Sequence, residues 1–289
     1  RACDMRKHKK PAPLPGRPTL REQIKAKPGL TAVYITLRAL VLVALVAQFF
    51  YGNFENVFLC VLTLFLFTLP SFIERTIRIE IPDTLEVIIL LFIFAAEILG
   101  EIQAYYVQFP YWDTMLHTLN GFLCAAIGFS LVDLLNRHER VSLSLSPVYM
   151  AIVAFCFSMT VGVLWEFFEC AMDQIFMQDM QKDTIVNAIS SVMLDPTGSQ
   201  RAQAIRDITD VIVVTGGGEE ISLGLGGYLD IGLLDTMEDL LVNFIGAAVF
   251  SFVGYFYVKN RGKGWFARNF IPQVLPDGES DGETDRPEE

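Results

Sequence analysis

Histidine and cysteine are scarce in this chain of 289 residues, which has three of the first and five of the second. The cysteines (Cys3, Cys60, Cys124, Cys156 and Cys170) form no CxxC pair, and three of them lie inside apolar runs. This pattern excludes a disulfide framework and a Cys/His-rich zinc site, and the thiols read as small hydrophobes. Neither HExxH nor GxSxG occurs, so no familiar hydrolase signature is present. No internal repeat is evident. The net charge is -11, and the basic residues form no groove-binding patch, which excludes nucleic acid as a partner.

Apolar length is abundant. The hydrophobic fraction is 52%, more than soluble domains of this size usually carry, and 23 residues are Phe. A spanning helix needs about 20 mostly apolar residues. Six segments qualify: 32–51, 54–73, 85–102, 112–135, 148–171 and 237–258. The first is too long for a cleaved leader. The expected fold is therefore an all-α polytopic membrane bundle of six transmembrane helices, with the lipid bilayer as its surroundings. Lys and Arg set the orientation. With the N-terminus inside, the tail, Arg75/Arg78, Arg137/Arg140 and the region from Lys259 onward become cytoplasmic, and they hold 18 of the 22 basic residues. The outside keeps Lys182, Arg201 and Arg206, so N-in, C-in is expected. Aromatic residues at Phe49–Tyr51, Tyr105, Tyr106, Tyr111 and Trp112 mark the outer interface, and Tyr255, Tyr257 and Trp265 the inner one.

Three regions follow. Residues 1–30 read as a basic cytoplasmic tail, 31–263 as the membrane domain, and 264–289 as a disordered acidic cytoplasmic tail. Within the membrane domain, 175–234 is an extracytoplasmic loop. There Ile185, Ile189, Val192 and Met193 recur at helical spacing, which predicts an amphipathic helix on the bilayer. Asp195-Pro196-Thr197-Gly198 predicts a turn, and the runs 211–214 and 221–225 around Gly216-Gly217-Gly218 predict a short β-hairpin.

The ionisable residues on these helices carry the chemistry. Glu97 and Glu101 are spaced i,i+4, as are Asp113 and His117. Glu166, Glu169 and Asp173 follow at i, i+3, i+7, and Asp235, Glu238 and Asp239 open the last helix. Each set forms a stripe on its helix, and the predicted topology brings all four stripes to the outer leaflet. Asp113 and Asp235 also suit helix N-caps, and Asp235-x-x-Glu238 matches a capping box. Glu97, Glu101, Glu166, Glu169 and Asp173 lie instead near helix C-termini, where the macrodipole disfavours negative charge. Charge at membrane depth is costly and generally faces a cavity. Clustered carboxylates have two remedies: some retain protons, or a cation sits among them. Candidate ligands of a divalent cation are Glu97, Glu101, Asp113, His117, Glu166, Glu169, Asp173, Asp235 and Asp239. Candidate catalytic groups are Glu166 and His117. No organic cofactor site is indicated. Asn120 and Asn243 suit hydrogen bonds between helices, and Gly121, Gly128, Gly162 and Gly246 suit close packing. Arg38 is expected to snorkel, and Cys170 to pack inertly.

The stretches Tyr111-Trp112-Asp113-x-x-x-His117-x-x-x-Gly121-Phe122, Trp165-Glu166-Phe167-Phe168-Glu169 and Leu234-Asp235-Thr236-x-x-Asp239 resemble the YjdF-like family of bacterial inner-membrane proteins over roughly residues 55–260. The Asp-x-x-x-His element alone is similar to that of VanZ-like proteins. The YjdF-like resemblance implies a multi-pass fold in a bacterial inner membrane. It also implies that Asp113, His117, Glu166, Glu169, Asp235 and Asp239 are family polar positions, with Asp230 as a further match. The Gly-rich loop before Asp230 is longer than the family pattern. The resemblance implies no reaction.

Three functions stay open, with ion or solute transport the leading one and the other two its alternatives. One is ion or solute transport, in which the acids bind a cation or relay protons and a homodimer completes the pathway. Another is a metal-dependent hydrolase or transferase acting on a lipid or envelope substrate. The third is a non-catalytic structural or partner-binding protein whose acids organise helices.

Overall fold

The computed structural model describes residues 27–77, 79–137, 145–259, 269–271 and 273–274. The basic tail expected over 1–30 lies outside the described residues up to position 26, and its last three residues open the first helix. Helix α1 spans Pro28–Tyr51, with Pro28 at its start, where a missing N–H costs nothing, and Gly52 at φ 74 closing it. Helix α2 (Phe54–Leu66) continues through a turn into α3 (Leu69–Ile77). Strand β1 (Ile79–Glu80) leads into α4 (Asp83–Phe94), which runs on as a π-helical segment, Ala95–Ile102. The short α5 (Tyr105–Gln108) precedes α6 (Trp112–Arg137) and α7 (Pro147–Phe176). Ser146 caps α7 by accepting from the Tyr149 N–H at 3.2 Å.

Among the described residues, five helices are long and apolar enough to cross a membrane: Pro28–Tyr51, Phe54–Glu74, Trp112–Asp133, Pro147–Phe176 and Leu233–Lys259. The expected span 85–102 is not among them. Its helix changes winding at Ala95, leaving a 12-residue α-helix and an 8-residue π segment. The last helix, α8, covers Leu233–Lys259.

The loop between α7 and α8 is built from paired strands. Strand β2 (Ile185–Val186) pairs with β7 (Tyr228–Leu229), β3 (Ile189–Ser191) with β4 (Gln203–Ile205), and β5 (Ile212–Val214) with β6 (Glu220–Ser222), all antiparallel. The last pair is the expected hairpin. The amphipathic helix is not formed. Ile185 and Ile189 lie in β2 and β3, and Val192–Leu194 is one turn of 3-10 helix. Pairing with segments distant in sequence overrides the local apolar spacing there. The turn at Asp195–Gly198 is present, with Gly198 at φ 66 and the Asp195 carboxylate accepting from the Thr197 N–H and hydroxyl.

Helices α6, α7 and α8 form the tightest unit. Ala125, Ala126, Phe129, Met150, Ala154, Ala247 and Phe250 are fully buried between them. Gly121 lies against the Asn243 backbone and Gly246 against the Thr118 carbonyl, so a Cβ at either position would collide with main chain. Gly162 faces the Asn243 side chain and Gly128 the Phe157 ring in the same way. The Asn120 side-chain amide donates to Asn243 Oδ1 at 3.4 Å. A second unit packs α1, α2 and α4 around Leu37, Val41, Cys60, Phe67 and Leu90. Leu85 and Leu123 join the two units. Arg38 donates to the Phe67 carbonyl at 3.3 Å and lies over the Tyr34 ring, rather than snorkelling away.

At one end of the molecule Lys27 pairs with Asp83 at 2.6 Å and Glu80 at 3.4 Å. Strand β1 also pairs there with β8 (Gln273–Val274). Ile271 is buried in the three-helix core. This part of the 264–289 stretch is therefore docked on the fold, and the rest of that stretch lies outside the described residues.

Candidate functional site

The site is built from paired residues on three helices. On α6, Asp113 and His117 sit one turn apart. On α7, Glu166 and Glu169 sit three residues apart. On α8, Asp235 and Asp239 again sit one turn apart. The glycine contacts that draw α6 and α8 together lie about one turn deeper, so the two helices are close where these pairs face each other.

The imidazole of His117 lies among the acids. Its Nδ1 is 3.8 Å from Glu166 Oε1, and its Nε2 is 3.5 Å from Asp113 Oδ1 and 3.7 Å from Asp239 Oδ2. His117, Glu166, Glu169 and Asp239 are all buried, with Asp239 only 2% exposed. Their ligand atoms lie within 4.8 Å of one another, and so do those of a second group, Asp113, Asp235 and Asp239. Asp239 belongs to both groups.

Few donors serve these acids. Trp165 Nε1 donates to Glu169 Oε1 at 2.8 Å, and the Lys182 backbone N–H donates to Asp235 Oδ2 at 2.7 Å. Glu166 Oε2 and Asp239 Oδ2 are buried with no hydrogen-bond partner. The acids at the opposite end are better provided. There buried Glu86 accepts from the Tyr34 hydroxyl at 2.7 Å, and Glu74 accepts from the Ile81 N–H at 2.8 Å. The contrast matters because an unpaired buried carboxylate oxygen is expensive.

The structure thus brings six of the nine candidate ligands together and leaves three outside. Glu97 and Glu101 lie on the π segment and join neither group. Asp173 accepts from the N–H groups of Met180 and Gln181 at 2.7 and 2.9 Å, and so holds the chain as it leaves α7. Asp235 is not the helix cap its spacing suggested. It lies inside α8, and Asp230 takes that role by accepting from the Leu234 N–H at 2.9 Å. Cys170 is exposed and belongs to neither group. Three contributors were not foreseen from sequence: Trp165, Gln181, which donates to the Thr236 hydroxyl, and Lys182 at the rim. The i,i+4 spacing of Trp165 and Glu169 was the available signal for the first. The other two depend on how the loop folds back.

Beside the cluster, an apolar groove of about 520 Å³ runs between α6 and α8, lined by Thr114, Met115, Thr118, Phe122, Ile245 and Val249 among others. At its outer end the Thr114 hydroxyl donates to Glu238 at 3.3 Å.

Several apolar helices and a cluster of buried acids at one end define a multi-pass membrane protein. The model of the family described as "Predicted membrane protein (DUF2238)" matches residues 33–260, and the chain belongs to that family. No curated protein and no solved structure matches it.

Proposed function

We propose that the protein is a membrane-embedded metalloprotein that holds a divalent cation among His117, Glu166, Glu169 and Asp239. The observation that carries this reading is the pair of buried, unpartnered oxygens, Glu166 Oε2 and Asp239 Oδ2, in a four-residue group whose ligand atoms lie within 4.8 Å. The distances from His117 to Glu166 and Asp239, 3.8 and 3.7 Å, are too long for hydrogen bonds. They are close to the roughly 3.4 Å edge of a tetrahedron built on metal–ligand bonds of about 2.1 Å. One imidazole with several carboxylates suits Mn²⁺, Fe²⁺ or Zn²⁺.

Beneath the site Asn120 donates to Asn243 and Ser158 to the Gly121 carbonyl, and the bundle around them is filled by Ala125, Phe129, Ala247 and Phe250. The apolar groove alongside supports a substrate that enters from lipid. The reading is therefore a metal-dependent hydrolase or transferase acting on a lipid or envelope substrate. The cation would polarise the substrate or activate water, with Glu166 and His117 within reach.

The remaining topology belongs to the same proposal. The first helix, α4 and β8 meet at one end through Lys27–Asp83 and β1–β8, while the π segment finishes at Ile102 on the way to Asp113. This supports α4 with the π segment as a sixth crossing, and both termini on one side. Lys/Arg counts favour the cytoplasm for that side, and the YjdF-like resemblance favours a bacterial inner membrane.

The test is elemental analysis of protein purified in detergent, beside Glu166→Gln and Glu169→Gln. The expected result is stoichiometric metal in the parent and its loss in both variants. A parent that is free of metal, and takes up none of Mn²⁺, Fe²⁺ or Zn²⁺, would sink the proposal. With metal in place, lipid-phosphate turnover against cation flux in liposomes separates enzyme from transporter.

A further inference from the structure

With all five of its acids ionised, the site carries more negative charge than one divalent cation balances. Asp113, Glu166, Glu169, Asp235 and Asp239 form one contiguous set through the shared Asp239, and the neutral imidazole of His117 adds nothing to the balance. One divalent cation leaves a formal charge of three negatives in a largely buried space. A second leaves one. Among the described residues Lys182 is the near cation, and its ammonium is turned to the Asp179 carbonyl and, at 3.8 Å, to the Asp179 carboxylate.

We propose that Asp113, Asp235 and Asp239 hold a second divalent cation, with Asp239 bridging it to the first. This rests on the metal reading of the His117 group and extends it to a binuclear centre. Asp239 supplies the observation beyond clustering. It is 2% exposed, its Oδ2 has no hydrogen-bond partner, and it is the one residue that both groups share. Its Oδ2 lies 3.7 Å from His117 Nε2, and the same nitrogen has Asp113 Oδ1 at 3.5 Å, so atoms of both groups meet there. A carboxylate has two oxygens and can serve two ions. Asp235 is held in place by the Lys182 N–H on Oδ2, which leaves its other oxygen for a ligand.

The two positions differ in chemistry. The inner group is fully buried and contains the imidazole, which suits a tightly held, borderline cation. The outer group is all oxygen, and Asp113 and Asp235 are only partly buried. That composition suits a harder ion that keeps water in its shell and exchanges readily. The outer ion is therefore the one that meets substrate. Paired ions of this kind clamp the attacking and leaving oxygens in hydrolysis of phosphate esters, so the substrate class is a phosphate ester at the membrane face.

The test is Mn²⁺ loading of chelator-stripped, full-length protein in detergent, read by Mn content per chain and by electron paramagnetic resonance. Two Mn²⁺ per chain with an exchange-coupled spectrum is the expected result. Asp113→Asn and Asp235→Asn should each bind one Mn²⁺ with an isolated-ion spectrum, and Asp239→Asn should bind at least tenfold more weakly at both positions. Two separate outer variants guard against either one failing to fold, and gel filtration checks each. A parent saturating at one Mn²⁺ overturns the second cation and leaves the first. Two Mn²⁺ retained in both outer variants also overturns it. No Mn²⁺ bound to the parent removes both sites.

Discussion

Replacing Asp239 by Asn should stabilise the protein without metal and lose most of that advantage with it. Without a cation, the carboxylates of the cluster repel one another across distances of no more than 4.8 Å. Two unit charges 4.8 Å apart interact by roughly 3.5 kcal/mol at an effective dielectric of about 20. Asn has the same shape and no charge, and its amide can donate to a neighbouring carboxylate. In chelator, Asp239→Asn should therefore be more stable than the parent, by up to about 3 kcal/mol. At roughly 2–4 °C per kcal/mol, the midpoint should rise by several degrees. With metal at 100 times its Kd, the parent gains about 2.7 kcal/mol from binding. The variant lacks the shared ligand and gains little, so the order narrows or reverses. The assay is thermal unfolding followed by tryptophan fluorescence. It reads the site directly, because the Trp165 indole donates to Glu169. A variant that is less stable than the parent in both chelator and metal would refute the reasoning, since it would make Asp239 an ordinary packing residue.

Three further outcomes are expected. Gly246→Ala should lower stability by about 1–3 kcal/mol, because its Cβ would overlap the Thr118 carbonyl and force α6 and α8 apart; an unchanged midpoint would contradict the packing. Trp165→Phe keeps an aromatic ring but removes the donor that orients Glu169, so metal affinity should fall roughly 10–100-fold in a competition titration while gel filtration stays unchanged. The loop between α7 and α8 should loosen in acid. The Thr197 and Ser199 hydroxyls hold the Asp195 carboxyl below the usual carboxylate range, and the Ser222 hydroxyl with the Gly224 and Val211 N–H groups does the same for Asp210. A depressed folded pKa contributes stability above the unfolded value, near about pH 4, and loses it as pH falls through the folded value. Hydrogen-exchange protection of 195–224 should therefore drop below about pH 4, with Asp210→Asn already less protected at neutral pH; flat protection in the parent would count against this.

Much of this arrangement was legible because helical spacing is local. Asp113 with His117, and Asp235 with Asp239, share a face at any depth, and alternating spans bring such faces to one end. The misses have physical reasons. Glu97 and Glu101 still share one face, but their π segment packs on α2, α4 and α5, so neither joins the groups held between α6, α7 and α8. Asp173 continues the spacing of Glu166 and Glu169, yet it lies in the last turn of α7, where free N–H groups of the following loop claim it. The run from Ile185 to Met193 fits a helix by spacing alone. Its partners at 203–205 and 228–229 are too far along the chain for any local pattern to reveal. Asp235 looked like a cap because the helix start was placed near it, whereas the turn at Gly232, φ 74, starts α8 earlier and gives the cap to Asp230.

Anomalous diffraction from crystals grown with Mn²⁺ tests the central claim most directly. The account predicts peaks within coordination distance of His117, Glu166, Glu169 and Asp239, and of Asp113, Asp235 and Asp239. Maps with no peak between α6, α7 and α8, at a Mn²⁺ concentration that saturates activity or stability in solution, would contradict it.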